Sequence, residues 1–449
     1  MLIATKFGGS SLADAKQFQR VREIIEGSHE RQFVVPSAPG RRFAGDDKIT
    51  DLLYACYALQ KAGADFGEPF ARIRERYMDI ERELGLDCGM ERELAVVERA
   101  IKNGASEDYA ASRGEYLCGL LLAAYLKFAF VDANELICFH EDGTYDDATT
   151  QLWASCLEGR RGVVVPGFYG RRRDGAIKTF SRGGSDITGA IVARAVRADI
   201  YENWTDVSGF MMADPRIVEN PHVISSVTYS ELRELSYMGA TVLHEDSIFP
   251  VRKAKIPIQV RNTNAPKALG TMVIPDAQYV PTGRACPLTG IAGRRGFTIL
   301  TVNKDNMHKE VGFGYRLLRV LHRNNISFEN APSGIDTMSV IIDDAHLIGK
   351  LDTVIEQIKR DCDVQQIEVS SGIALIATVG KGMARRLGVS ATLFSALCAA
   401  GVNVRVIDQG SSEMNIIVGI NETDFEVALR AIYAAFEGFG TDDTLACKA

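Results

Sequence analysis

The sequence predicts an α/β fold in which a domain with a parallel sheet is followed by two smaller α+β modules. Through the first part of the chain, short apolar strands alternate with amphipathic helices, the order typical of parallel sheets. In the last third, apolar residues and glycines recur at an offset of 76 residues, as in Met307 with Met383 and Gly312 with Gly388. Prolines and glycines are concentrated over 266–287, which predicts a linker and a domain boundary near 285–295.

The bulk composition indicates a globular protein and excludes several classes of partner. The 449 residues carry a formal net charge of −7 and no basic cluster, so neither nucleic acid nor an anionic membrane is expected as a partner. The most apolar stretch, 117–131, is too short to cross a bilayer, and the N-terminus has no signal pattern. Nine cysteines without a C-x-x-C pair predict reduced thiols and no zinc site, as in a cytoplasmic protein.

The first strand–helix junction contains a pair of glycines. A strand is expected over 2–7 and a helix over 13–28, and Lys6, Gly8-Gly9 and Ser10 lie at their junction. Adjacent glycines allow close approach of the backbone, and N–H groups at a helix start can face an anion. The spacing of a Walker A loop is absent, so that motif is excluded. A phosphate cradle and an ordinary strand-to-helix turn both fit these residues.

The next strand–loop–helix unit is predicted to place a hydroxyl near the ligand edge of the sheet. A strand over 32–37 is followed by Ala38-Pro39-Gly40 and a polar surface loop that extends to Asp47. Thr50 and Asp51 are expected to cap the following helix. Thr50 either serves only as this cap or also presents its hydroxyl to a ligand.

A charged helical region precedes the carboxylate of Glu115. Residues 66–108 are expected to be helical with a solvated face, because charges of both signs alternate there. The tetrapeptide Ser112-Arg113-Gly114-Glu115 is predicted to begin the next helix, with Glu115 in its first turn. A carboxylate there suits the helix dipole, which is a structural explanation that competes with a functional one.

A second pair of glycines follows a short buried strand near 163–165. Here Arg182-Gly183-Gly184-Ser185-Asp186 leads into a helix expected over 187–197. Arg182 could bind a carboxylate or phosphate through two parallel hydrogen bonds. Asp186 could orient an ammonium group or a metal-bound phosphate. Helix capping explains Ser185 and Asp186 but neither Arg182 nor the paired glycines, so a binding site is favoured.

The segment that follows the strand expected over 199–204 is rich in turns and contains an apolar stretch. It could cover an adenine ring while Asp206 binds the edge of that ring. A structured loop without a binding role is the alternative.

Each copy of the C-terminal repeat is expected to contain a strand, a helix that begins at glycine, two further strands and a helix. Two copies are too few for a solenoid, so paired α+β modules are favoured. The junction between the helix start and the neighbouring turn could bind a small ligand. A purely structural dimerisation domain is the alternative.

Five motifs, in this order, resemble those of single-function aspartate kinases over nearly the full length of the chain. They are Lys6-Phe7-Gly8-Gly9-Ser10-Ser11, Ser112-Arg113-Gly114-Glu115, Arg182-Gly183-Gly184-Ser185-Asp186, Thr205-Asp206-Val207 and Ala213-Asp214-Pro215-Arg216. The first motif also suits other members of the amino-acid-kinase superfamily. The resemblance implies an amino-acid-kinase-like parallel-sheet sandwich over 1–285 and two ferredoxin-like ACT domains over 295–370 and 371–449.

The resemblance also implies a reaction, in which Mg-ATP phosphorylates the side-chain carboxylate of L-aspartate to give 4-phospho-L-aspartate. Lys6 and Asp186 are the implied catalytic residues, and Mg²⁺ would be bound mainly through the phosphates of ATP. In the substrate pocket, Arg182 would bind the α-carboxylate and Glu115 the α-ammonium group, with Thr50 and Ser185 beside them. The implied ATP-binding residues are Lys6, Gly8, Gly9, Ser10, Thr205, Asp206, Met211, Arg216 and Lys253.

In such kinases the ACT domains bind an end-product amino acid and join a homodimer, so this chain is expected to dimerise through them, with a tetramer also possible. The implied effector-binding residues are Met307, Gly312, Gly314, Ser327, Phe328 and Glu329. Glu329 stands where lysine-sensitive relatives often have aspartate, so lysine, threonine, both together or neither stay open as effectors.

Two other functions compete with an aspartate kinase. One is a kinase of another acid, such as glutamate or N-acetylglutamate, although an acylated amine would have no use for Glu115. The other is an amino-acid sensor that no longer catalyses, although a sensor could have lost the charged residues of the motifs.

Overall fold

The computed structural model of the chain describes residues 1–181, 183–240, 243, 248–280, 286–364 and 366–437. The chain forms two compact units. The first unit comprises Met1–Phe210, Val223–Leu232 and Thr241–Tyr279, and the second comprises Met211–His222, Arg233–Ala240 and Val280–Ala449.

The first unit is built on two sheets. Its strands are β1 Ile3–Phe7, β2 Arg31–Pro36, β3 Ala129–Phe130, β4 Cys138–Phe139, β5 Val163–Val164, β6 Tyr169–Arg172, β7 Ile177–Thr179, β8 Ile200–Thr205, β9 Ser226–Thr228, β10 Ile258–Asn262 and β11 Thr271–Ile274. Eight strands form the larger sheet in the order β3-β5-β2-β1-β8-β10-β11-β9, and β4, β6 and β7 form the smaller one. Neighbours in the larger sheet are parallel except β10 and β11, which confirms the predicted parallel sheet.

Helices connect these strands and cover the sheet. Those that precede residue 255 are α1 Ala15–Glu26, α2 Ile49–Lys61, α3 Gly67–Glu83, α4 Met90–Lys102, α5 Glu107–Leu126, α6 Asp147–Ala154, α7 Gly184–Ala195, α8 Tyr229–Tyr237 and α9 Phe249–Ala254. The helices α1 to α5 share one hydrophobic core with Val34 of β2 and Trp204 of β8. The apolar residues that recur every three to four positions along α1, such as Phe18 and Val21, are fully buried there.

Two predicted helix starts are wrong. Helix α5 begins at Glu107 and its N-cap is Ser106, whose hydroxyl accepts a hydrogen bond from the Tyr109 N–H. Glu115 therefore lies in the interior of α5, and the helix dipole does not explain it. Helix α2 begins at Ile49 after Lys48, so Thr50 lies within the first turn and caps nothing.

The segment predicted as a linker contributes a strand. Within 266–287, β11 pairs antiparallel with β10 and parallel with β9. Its alternating sequence Thr-Met-Val-Ile buries Thr271 and Val273, a pattern typical of a half-buried strand. The prolines around this short strand led to the prediction of a linker. Residues 281–285 lie outside the described ranges.

The second unit contains an antiparallel five-stranded sheet in the order β13-β12-β14-β16-β15. Its strands and helices are β12 Gly290–Asn303, α10 Phe313–Arg323, β13 Thr337–Asp343, α11 Asp344–Leu347, α12 Leu351–Cys362, β14 Gln366–Val379, α13 Val389–Ala399, β15 Val404–Asp408, β16 Asn415–Asn421 and α14 Phe425–Glu437. Helices α10 and α13 start at the predicted offset. The antiparallel sheet with its helices confirms the predicted paired α+β modules.

The long strands β12 and β14 each divide into two halves at a glycine. Gly296 and Gly372 have φ values of 85° and 70°, and they stand at the repeat offset. Positive φ at a bulge favours glycine, and the bulge reorients the strand. One half of each strand contributes to a core with α10 and α12, and the other half contributes to a second core with α13 and α14.

The two copies differ in one strand. The second copy has β15, whereas residues 327–335 of the first form only isolated bridges, Asn330 with Ile341 and Ser333 with Met338. The prediction of a strand there is wrong. Pro332 has no N–H to donate to a ladder, which limits pairing in this segment.

No helix among the described residues is long and apolar enough to cross a membrane. Of the cysteines in the described ranges, none forms a disulfide.

Candidate active site

Three strands of the larger sheet end side by side. Phe7 at the end of β1 lies opposite Pro36 of β2 and Trp204 of β8. Because the carboxyl ends of parallel strands meet at one edge, the loops that follow them are neighbours. This edge, which contains the residues after β1, β2 and β8, is where the structure brings the first candidate residues together.

Lys6 places a buried ammonium group at this edge. Its side chain is 10% exposed, and Nζ lies 2.7 Å from Oδ1 of Asp186 in the first turn of α7. Asn203, opposite Lys6 in β8, donates to the same oxygen at 2.7 Å. The carboxylate is therefore held from two sides, and it holds the cation in a fixed position. The resemblance did not point to Asn203; a polar residue inside a buried strand was the signal for it.

The glycine turn after β1 lies beside the ammonium group of Lys6 and against the loop after β2. A Cβ atom at Gly8 would lie 3.7 Å from the Nζ atom of Lys6, and one at Gly9 would lie 2.9 Å from the carbonyl oxygen of Ala38. The Gly8 N–H donates to the Trp204 carbonyl oxygen at 2.9 Å. A side chain at Gly8 would therefore stand beside the cation, and one at Gly9 would collide with the backbone of the loop after β2, so glycine at both positions lets the turn pack closely here. Ser10 is half-buried in the short 3-10 helix that follows.

Glu115 is the most unusual titratable group at this edge. The residue is 5% exposed in the interior of α5, and its Oε2 atom has no hydrogen-bond partner. Burial raises the pKa of Glu115 to about 8, although the backbone N–H groups of Ala38 and Glu115 and the charges of Arg113 and Lys6 oppose this shift. A buried carboxylate without a full set of partners is suited to a cationic ligand group.

Close packing fixes the backbone around Glu115. A Cβ atom at Gly114 would lie 2.8 Å from the Cβ atom of Ala38, so the helix and the loop after β2 touch here. The neighbouring Arg113 is buried, and its guanidinium group lies 4.5 Å from the ring centroids of Tyr109 and Tyr116. These rings stabilise the cation by cation–π attraction.

The second pair of glycines is also closely packed, against Phe168. Gly183 is the N-cap of α7 with φ 58°, and a Cβ atom at Gly184 would lie 2.6 Å from the Cδ2 atom of the Phe168 ring and 3.0 Å from the Phe168 Cα atom. Ser185 is buried in the first turn of α7, against Gly167. Arg182, the residue predicted to bind a carboxylate, lies outside the described residues. Thr50 is half-buried in the first turn of α2.

The residues predicted on the nucleotide side are distributed over both units. Thr205 ends β8 and Asp206 is exposed after it, at the edge described above. Lys253 in α9 is paired with Asp147 at 2.7 Å. Met211 and Arg216 belong to the second unit, where Arg216 is paired with Asp214 at 2.6 Å. Among the described residues, no group of three or more His, Cys, Asp or Glu side chains could hold a metal ion.

The residues predicted to bind an effector lie around the start of α10 and the segment after it. Met307 is buried, Gly312 is the N-cap of α10 with φ 83°, and Gly314 lies in its first turn. Phe328 is 40% exposed. The polar members have partners within the second unit: Ser327 Oγ lies 3.0 Å from His346 Nδ1, and the Tyr237 hydroxyl lies 2.5 Å from Glu329 Oε2.

Comparisons with known proteins identify the family. The amino acid kinase family matches residues 1–262, and the ACT domain matches residues 376–436. The chain therefore belongs to the amino acid kinase family. Aspartokinase 3 of Bacillus subtilis is 36% identical, over 96% of this chain and 98% of that protein. Within the amino acid kinases, the chain is thus a member of the aspartokinases.

Two solved enzymes have the same fold over 97% of this chain. The aspartate kinase of Clostridium acetobutylicum is 49% identical, with a TM-score of 0.88 over 99% of that chain. Aspartokinase III of Escherichia coli is 28% identical with a TM-score of 0.74 in complex with aspartate and ADP, again over 99% of that chain. The same enzyme in complex with lysine and aspartate gives a TM-score of 0.70 at 27% identity.

Proposed function

We propose that this chain transfers the terminal phosphoryl group of ATP to the side-chain carboxylate of L-aspartate. The observation that carries the proposal is the combination of buried Lys6 with buried, incompletely paired Glu115 at one sheet edge. A fixed cation at this edge suits a phosphoryl group, and a buried carboxylate with an unpaired oxygen suits an ammonium group. Membership of the aspartokinases and the E. coli complex with aspartate and ADP support this choice of substrates.

Phosphoryl transfer to a carboxylate depends on the positioning of the two reactants and on compensation of their negative charge more than on a general base. The acceptor carboxylate, with a pKa near 4 in model compounds, is already ionised at neutral pH. Two anions must then be brought into line while the charge on the transferred group is stabilised. Lys6, held by Asp186, supplies a cation that is fixed before the reaction begins. Mg²⁺ bound to the ATP phosphates would offset part of their charge.

The remaining residues are assigned as part of the same proposal. Arg182 binds the α-carboxylate of aspartate and Glu115 binds its α-ammonium group, with Thr50 and Ser185 in the pocket. The glycine turn and Ser10 bind phosphates. The nucleotide side is completed by Thr205, Asp206, Met211, Arg216 and Lys253.

A hydroxylamine-trapping assay with Mg-ATP tests the reaction, because hydroxylamine converts an acyl phosphate into a hydroxamate that gives a coloured complex with iron(III). We expect a signal with L-aspartate and none with L-glutamate or N-acetyl-L-glutamate. A signal with either of these acids alone would replace the substrate while keeping the reaction class. Folded protein that gives no signal with any acid would contradict the proposed function and favour an amino-acid sensor.

We further propose a kinase domain over 1–285 and two regulatory domains over 295–370 and 371–449 that bind an amino-acid effector and join a homodimer. The ACT match in this region and the E. coli complex with lysine support an effector role. Light scattering at micromolar protein is expected to give the mass of a dimer or a dimer of dimers, with or without lysine and threonine. A monomeric mass under all these conditions would contradict the dimer, and trapping assays with each amino acid would identify the inhibitor.

A further inference from the structure

Helix α3 carries an arginine that is almost completely buried beside the loop after β2. Arg76 is 5% exposed, whereas Arg72, one turn earlier, has a side chain that is 48% exposed. Burial disfavours the charged guanidinium group and lowers the pKa of Arg76. A cation in such a place costs free energy unless its partners are well placed, and an apolar residue of similar size would fill the space at less cost.

Arg76 donates hydrogen bonds to two points of the same loop, Gly40 and Asp46. Its Nη1 atom donates to the carbonyl oxygen of Gly40 at 3.0 Å, and its Nη2 atom donates to Oδ2 of Asp46 at 2.7 Å. Asp46 also accepts three hydrogen bonds from Arg42, one from the backbone N–H and two from the guanidinium group. Hydrogen bonds from Arg42 hold the pKa of Asp46 well below its usual range, so Asp46 stays anionic. We name residues 38–46 the Asp46 loop.

The Asp46 loop contacts two parts of the candidate active site, the glycine turn after β1 and the part of α5 that carries Glu115. The Gly40 N–H donates to the carbonyl oxygen of Gly9 at 2.8 Å, which ties the loop to the glycine turn. At the start of the loop, Ala38 packs against Gly114, and its backbone N–H stabilises the anionic form of Glu115. The residue after Arg76 also contributes, since the Tyr77 hydroxyl donates to the carbonyl oxygen of Gly114 at 2.6 Å.

We infer that Arg76 is a positioning residue for phosphoryl transfer: it holds the Asp46 loop against the glycine turn and against Glu115. The inference rests on the proposed function. Without the two hydrogen bonds from Arg76, the Gly40 carbonyl group and Asp46 lose their common donor. The position of the Asp46 loop relative to the glycine turn and Glu115 is then less well fixed. Because a displacement of the order of 1 Å at a reacting centre can cost about a hundredfold in rate, such a loss is measurable.

The test compares variants of two arginines on α3. Arg76→Met is expected to lower kcat/KM for L-aspartate about tenfold or more, with a rise in KM because the Ala38–Glu115 region is affected. Arg76→Lys keeps the positive charge but cannot donate from two separate nitrogen atoms to Gly40 and Asp46. Its kcat/KM is therefore expected to lie between those of Arg76→Met and the wild type. Arg74→Met is the matched control: Arg74 is paired with Glu91 and Glu98, away from the loop, so its loss should lower stability and leave KM unchanged.

Asp46→Asn provides a second route if Arg76→Met fails to fold. It is expected to reproduce the rise in KM, and the double variant should lose less than the sum of the two single losses, because both changes break one anchor. A wild-type KM in folded Arg76→Met or in Asp46→Asn, or additive losses in the double variant, would overturn the inference. An inactive wild-type enzyme with an inactive Arg74→Met control would instead contradict the proposed function.

Discussion

Replacement of Lys6 by alanine is expected to lower kcat by about two to three orders of magnitude, the usual cost of removing one preorganised group that stabilises transition-state charge. The ammonium group is buried, is fixed by Asp186 at 2.7 Å and lies beside Gly8. A cation in a partly desolvated site acts more strongly than one in water. Its loss should therefore affect the chemical step more than the fold.

The measurement is steady-state kinetics by the trapping assay, together with a thermal melt of each variant. Lys16→Ala is a suitable control, since Lys16 is an exposed lysine on α1. We expect wild-type turnover in the control and a melting curve for Lys6→Ala that still shows one cooperative transition. Turnover near the wild-type value in Lys6→Ala would remove Lys6 from the proposed chemistry.

Replacement of Glu115 by glutamine is expected to raise KM for L-aspartate about a hundredfold at pH 8.5, because a buried, charge-assisted contact with the ammonium group is lost. The substitution keeps the shape of the side chain, so kcat at saturating aspartate should change less than KM. Glu107→Gln is the control on the same helix, because Glu107 is exposed at its N-terminus. An unchanged KM in Glu115→Gln would contradict the assignment of the ammonium site.

The pH dependence of aspartate binding follows from the raised pKa of Glu115. With a pKa of about 8 in the free protein, most Glu115 is protonated at pH 6.5, and binding an ammonium group must displace that proton. Apparent affinity for aspartate should thus improve by about an order of magnitude between pH 6.5 and 8.5. In Glu115→Gln this dependence should disappear, and its persistence there would assign it to another group.

The raised pKa of Glu115 also affects the free energy of unfolding, which changes with pH in the opposite direction to the affinity for aspartate. Between the usual pKa of 4.5 and about 8, the folded state binds more protons at Glu115 than the unfolded state does. Its contribution to the free energy of unfolding therefore falls as pH rises through this window. Thermal melts should show Glu115→Gln gaining stability relative to the wild type as pH increases from 5 to 8.5.

Much of the fold could be predicted because local patterns decided it. The strand that carries Lys6 is a short, fully buried segment just before a glycine pair, and α1 has a clear amphipathic period. The repeat offset was readable because both copies begin a helix after a glycine with positive φ, Gly312 and Gly388. Strand β11 and the start of α5 could not be placed, because proline counts and mixed charges carry little information about long-range pairing.

The sequence by itself determined which chemical groups are present and in what order: the lysine before a glycine pair, the Ser-Arg-Gly-Glu tetrapeptide, and the second glycine pair with its aspartate. Those motifs were sufficient to indicate the aspartate kinases. Only the tertiary structure decided that Glu115 is buried in the interior of α5 with a raised pKa, and that Arg76 anchors the Asp46 loop. Burial and desolvation depend on residues distant in the chain that pack around a group, and no local pattern records them.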